Sequence, residues 1–133
     1  MDVTIRLLRD KFKEYNHLYF RDTLEMPKFR LIDGFQDVGM FKCKRDKETH
    51  KLYDATIFIA YNVDFDEESF RSVLVHEMIH YYVYSTIEPI GGSFQHCGLF
   101  WIAKTVLNKK YKLGIQSTYP HIKYLPDKKR KTG

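Results

Sequence analysis

The chain is poor in the residues that staple or punctuate small folds: two cysteines, four prolines and seven glycines among 133 residues. Cys43 and Cys97 lie far apart and form no C-x-x-C pair. That argues against a disulfide scaffold and for free thiols in a reducing compartment. No apolar run approaches the roughly 18–20 residues that span a bilayer. The opening Met1-Asp2-Val3-Thr4-Ile5-Arg6 lacks the basic-then-apolar layout of a signal peptide. A cytoplasmic protein with no membrane role is therefore expected. There is no internal repeat, low-complexity tract or linker, so one domain is expected, as a monomer.

What the chain does have is apolar bulk. Hydrophobic residues make up 44%, with ten tyrosines and ten phenylalanines, enough to build a core and to exclude a disordered chain. The net charge is +5. Much of the excess gathers late, at Lys109, Lys110, Lys112, Lys123, Lys128, Lys129, Arg130 and Lys131. A basic end favours acidic partners, nucleic acid first; a solvated, frayed tail accounts for the last residues equally well. The expected division is a domain over 1–126 and a basic tail over 127–133.

Periodicity assigns the elements. Ile5, Leu8, Phe12, Tyr15 and Tyr19 form one stripe, predicting an amphipathic helix from about Val3 to Phe20. Three strands are expected at Phe29 to Ile32, Val38 to Lys44 and Leu52 to Tyr61, with Arg45 to Lys51 as a hairpin loop. Phe70, Val73, Leu74, Met78, Ile79 and Val83 recur at helical steps. Asp64 and Asp66 are the candidate N-caps of that helix, and Glu67 and Glu68 suit its first turn. Val75 and Tyr82 add bulk, so the helix should be buried over most of its surface. Ile87 to Ser93, with Pro89 and Gly91-Gly92, reads as a loop. A further amphipathic helix is expected from about Phe94 or His96 to Leu107.

The buried helix carries His76-Glu77-Met78-Ile79-His80. Two histidines four apart share one helix face, so both imidazoles can reach one tetrahedral Zn²⁺. The glutamate beside the first can hold a water and take its proton. In a shuffled chain of this composition H-E-x-x-H arises roughly once in seventy, so the context carries weight. Here ionisable groups interrupt an apolar segment, where they are costly unless paired or metal-bound. Two core histidines with ordinary hydrogen-bond partners, and a surface glutamate, are the bland alternative.

A catalytic zinc usually takes three protein ligands. The H-E-x-x-H-x-x-G-x-x-H pattern fails, because Val83 and Thr86 stand where glycine and histidine should be. Glu88 lies just before Pro89, close to the end of the helix. His96 follows a glycine-containing turn long enough to let the next helix fold back, and is the preferred third ligand. His17 reads as a surface residue, His50 as a loop residue, and His121 stays undecided. Tyr119 and His121 are candidate donors to a developing oxyanion. The tyrosines from Tyr81 onward read as core and rim packing more than as base-stacking platforms.

Leu8 through Phe20, followed by Leu24 and Pro27, resembles the opening of the SprT-like metallopeptidases. In that family a first helix with a Tyr/Phe-Asn-x-x-Tyr-Phe pattern leads to a Leu-Pro turn. Val73 through His80 looks like the family's active-site helix, and His96-Cys97-Gly98-Leu99-Phe100 like its third-ligand segment. The resemblance spans about residues 5–108. It implies an α+β, zincin-like domain: an N-terminal helix, a small sheet of about three strands, the H-E-x-x-H helix, and a following helix bearing the third ligand. It also implies one Zn²⁺ on His76, His80 and His96, with Glu77 as general base for peptide hydrolysis. Members related to Spartan cleave proteins covalently trapped on DNA, which implies DNA-bound protein substrates; the charge distribution assigns any DNA contact to the basic residues Lys109, Lys110, Lys112, Lys128, Lys129, Arg130 and Lys131. Two departures stand out. Cys97 separates His96 from Gly98, where the family usually has glycine at once, and the paired cysteines of a C-terminal zinc ribbon are lacking. A DNA-binding module with structural zinc, Cys97 as fourth ligand and lost or latent peptidase activity is the competing expectation.

Overall fold

The computed structural model describes residues 1–86 and 98–132. The order is helix α1 (Ile5–Phe20), strands β1 (Lys28–Ile32), β2 (Gly39–Arg45) and β3 (Leu52–Ala60), then helices α2 (Glu67–Thr86) and α3 (Gly98–Tyr111). This is an α+β fold; the periodicity predicts its helices and three strands, and the structure adds that the sheet is mixed.

Helix α1 begins where the Thr4 side chain accepts the Leu7 amide at 3.0 Å, an N-cap worth about 1 kcal/mol. It buries Leu8, Phe12, Tyr15, Asn16 and Phe20 and packs against β1. The polar member of that stripe, Asn16, is satisfied: its amide donates to the Leu24 carbonyl at 2.8 Å and accepts the Leu24 amide at 3.2 Å. The chain leaving α1 is thereby turned back toward the sheet. The turn itself uses left-handed backbone at Arg21 and Asp22.

The sheet order is β1-β3-β2, with β1 parallel and β2 antiparallel to β3. β3 is central, and its Ile57, Ile59 and Ala60 are fully buried. β2 is an edge strand; Gly39 pairs with Ile59 and Phe41 with Ile57 before a register shift between Lys42 and Lys44. The expected hairpin loop is present. Asp46 closes it, with its side chain accepting the Glu48 and Thr49 amides at 2.8 Å each.

Helix α2 is capped by Asp66, whose side chain accepts the Ser69 amide at 2.7 Å, while Ser69 Oγ accepts the Asp66 amide at 3.0 Å. Of the two expected caps, Asp66 is the one used. From Ser72 to Tyr81 every residue of α2 is buried, because β2 and β3 cover one side and α3 another. At its far end the Tyr84 carbonyl accepts from Arg45 Nη2 at 2.5 Å, tying the end of α2 to the end of β2. Helix α3 runs four residues past the expected Leu107. Tyr111, which ends it, meets Tyr19 of α1 edge-on at 5.0 Å.

After α3 the chain folds back over α2. Leu113 and Ile115 are buried, and Tyr124 makes an isolated bridge with Val63. No helix among the described residues is long and apolar enough to cross a membrane.

Candidate metal centre

His76 and His80 lie one turn apart on the buried face of α2, only 4% and 6% exposed. Their Nε2 atoms are 3.2 Å apart. Glu77 Oε2 lies 3.9 Å from His76 Nε2. One ligand atom from each of the three residues falls within 4.8 Å of the others. Two nitrogens bound to one tetrahedral metal at about 2.0–2.1 Å must sit about 3.3 Å apart. The observed spacing therefore needs almost no rearrangement to accept an ion.

The protonation pattern also fits. The Gln116 carbonyl, which can only accept, lies 2.6 Å from His76 Nδ1, so Nδ1 carries the proton. In a neutral ring Nε2 is then the acceptor, here facing His80 Nε2 at 3.2 Å, and it is the atom a metal would take. The ring of His80 is fixed by packing: Phe100, fully buried, stacks on it at 4.4 Å and 22° and also meets His76 at 4.9 Å. The edge of Tyr119 closes on His76 at 5.6 Å.

Burial pushes the Glu77 carboxyl up to about 8, and the charge of Asp37 adds to the shift. A divalent cation beside it would favour the carboxylate and reverse that effect. The chain thus holds two imidazoles and a carboxyl in a desolvated place where a metal ion could offset their cost.

A cleft of about 470 Å³ opens over this cluster. Its walls are the edge strand from Val38 to Phe41, the histidines and Glu77 of α2, and the segment from Ser117 to Pro120. Gly39 makes the strand's close approach feasible. A Cβ there would stand 2.9 Å from Val73 Cγ1 and 3.0 Å from Glu77 Oε2. A glycine inside a strand marks close backbone approach, and that sequence signal had its cause here.

Comparison with protein-family models, with curated proteins and with solved structures found no match.

The expected site residues fall into three groups. His76, Glu77 and His80 come together. His96, with Glu88 and Cys97, lies outside the described residues. The basic residues do not join the cleft walls. Lys109, Lys110 and Lys112 are exposed at the end of α3 and just beyond it. Lys128 is folded back on the N-terminus, donating to the Met1 carbonyl at 2.6 Å and 3.7 Å from Asp2. Arg130 lies over the Tyr61 ring at 4.9 Å, and Lys129 and Lys131 are exposed. His17 is exposed and pairs with Asp22 at 2.9 Å; His50 sits in the β2–β3 loop with positive φ.

The two oxyanion candidates are placed differently. The Tyr119 hydroxyl donates to the Ser72 carbonyl at 3.1 Å and accepts the Gln116 amide at 3.2 Å. That ties the segment after α3 to α2, and burial raises the phenol's pKa. His121 faces Tyr119 at 6.2 Å and lines a separate hollow with Asp64 and Asp66. The Gln116 carbonyl had no signal in the sequence, because a backbone acceptor leaves no residue preference behind.

Proposed function

We propose that this chain is a zinc-dependent endopeptidase of the SprT-like kind. The observation that carries the reading is the convergence of His76 and His80 Nε2 at 3.2 Å beside the buried Glu77 carboxyl, at the floor of a cleft walled by an edge strand. His76 and His80 would hold the ion, with His96 as the third ligand in this reading. A bound zinc ion supplies Lewis acidity, bringing the pKa of water near neutrality and polarising a carbonyl.

The chain's own residues do the rest. Glu77, as carboxylate, accepts the proton of the attacking water and returns it to the leaving amine. Its oxygen lies 3.9 Å from His76 Nε2, so the base stands beside the nitrogen that would hold the ion. The His76 proton on Nδ1 stays with the Gln116 carbonyl throughout, so the ring keeps one orientation. β2 is an edge strand and lines the cleft, and in this reading an extended peptide pairs with it as an added strand, bringing a scissile carbonyl to the cluster. The floor of the cleft, formed by His76, Glu77 and His80, is buried, which strengthens these interactions.

Wild type should bind one zinc per chain and cleave an unfolded protein substrate. Glu77→Gln should keep the zinc and lose at least about 10³-fold in turnover, since it removes the base while sparing the ligands. Turnover retained by Glu77→Gln, or wild type that binds no zinc, would overturn the reading. Running the assay with and without single-stranded DNA decides whether the substrates are DNA-bound proteins.

A further inference from the structure

Three consecutive residues after α3, namely Ile115, Gln116 and Ser117, are gripped from two helices at once. On α3, Asn108 makes two hydrogen bonds to the Ile115 backbone: its Nδ2 donates to the carbonyl at 2.9 Å and its Oδ1 accepts the amide at 2.8 Å. One turn earlier on the same face, Lys104 donates from Nζ to Ser117 Oγ at 3.2 Å. Lys104 is only 7% exposed. Its ammonium also lies 3.5 Å from the centre of the Trp101 ring, a cation–π contact that holds it in place. From the α2 side, Ser72 anchors Tyr119, and Tyr119 fixes Gln116: the Tyr119 hydroxyl accepts the Gln116 amide and donates to the Ser72 carbonyl. Ser72 stands one turn before His76. The residue so fixed presents its carbonyl to His76 Nδ1 at 2.6 Å.

A buried lysine is an expensive anchor for a loop unless its placement matters. We infer that Lys104 and Asn108 are positioning residues for His76: by fixing Ile115 and Ser117 they hold the Gln116 carbonyl on Nδ1 and so determine which ring nitrogen is offered to a metal. The inference rests on the metal-site reading for its purpose, but not for its geometry. Groups that orient a metal-bound histidine typically change metal affinity by about 10–100-fold when lost. Lys104 and Asn108 act one bond further out, so the lower end of that range is expected for their joint removal.

The test uses the full chain and two readouts. The first is the His76 tautomer in zinc-free protein, read from ¹⁵N–¹H long-range correlation spectra above the pH where imidazoles titrate. The second is zinc affinity by competition with a chromophoric chelator. Wild type should show Nδ1–H alone. Lys104→Met with Asn108→Ala should show a mixture of Nδ1–H and Nε2–H and bind zinc about ten-fold more weakly. Lys104→Arg, which keeps a donor to Ser117, should restore most of the affinity lost in Lys104→Met. Should the double variant fail to fold, Ser117→Ala removes the Lys104 acceptor without touching α3 and should shift the tautomer in the same direction. A folded double variant, or a folded Ser117→Ala chain, with the wild-type tautomer and affinity within two-fold overturns the inference. If wild type binds no zinc, the metal-site reading fails, while the tautomer comparison still decides the positioning role.

Discussion

Metal-free protein should lose stability as pH rises from about 5 to 9, and one side chain should account for most of the loss. Glu77 is 5% exposed, and burial, with Asp37 adding its charge, lifts its carboxyl from 4.5 to about 8. In the unfolded chain the same carboxyl titrates near 4.5. Between those values it is protonated when folded and ionised when unfolded. The folded state therefore binds the extra proton, so its stability is greatest below about 4.5 and falls as pH rises through 8. At 1.36 kcal/mol per unit the full change is about 5 kcal/mol as an upper bound, because water entry and side-chain relaxation soften the cost of a buried charge. The assay is urea unfolding of chelator-treated wild type and Glu77→Gln at pH 5 and pH 9. The variant is a neutral near-isostere, so every other group cancels in the difference. Its advantage over wild type should grow by about 2–5 kcal/mol across that interval. Saturating zinc should flatten the wild-type slope, since the cation favours the carboxylate. Parallel pH profiles for the two metal-free proteins would refute the reasoning.

Two further substitutions probe the same site. Gly39→Ala sets a methyl 2.9 Å from Val73 and 3.0 Å from Glu77 Oε2; overpacking should cost about 1–3 kcal/mol, and displacement of Glu77 should cut turnover with zinc still bound. Wild-type melting and wild-type turnover in that variant would show that the contact relaxes freely. Phe100→Ala removes a fully buried ring stacked on His80 at 4.4 Å and should cost about 3–5 kcal/mol. The gentler Phe100→Leu should still weaken zinc binding by competition assay; unchanged affinity there would mean that the ring does not orient His80.

The elements were legible because each rests on local chemistry. The i, i+3, i+4 stripe of α1, the β-branched run of β3 and the Asp66 cap need only neighbours along the chain. The ends were less so: Thr4, not Val3, marks the start of α1, and α3 continues to Tyr111 because that ring finds Tyr19 on another helix. His76, Glu77 and His80 were legible too. A helix alone brings i and i+4 to one face, and H-E-x-x-H states that geometry in five letters.

What surrounds those three residues was not. The sequence does not say that β2 takes the edge and β3 the centre, because strand order depends on long-range pairing rather than on either strand's composition. It marks Gly39 only as a glycine in a strand; the approach of Glu77 is what requires it. It offers Tyr119 as an oxyanion donor, whereas folding gives that hydroxyl to Ser72 and Gln116. The basic run near the C-terminus reads as a tail, yet Lys128 is bound back to Met1 and Asp2. By itself, then, the sequence determined the helices, the strands and a pair of imidazoles with a carboxyl on one helix face. Only the tertiary structure decided which nitrogen of His76 carries the proton, how deeply Glu77 is desolvated and which strand lines the cleft. Those properties come from groups distant along the chain, among them backbone carbonyls that carry no residue identity.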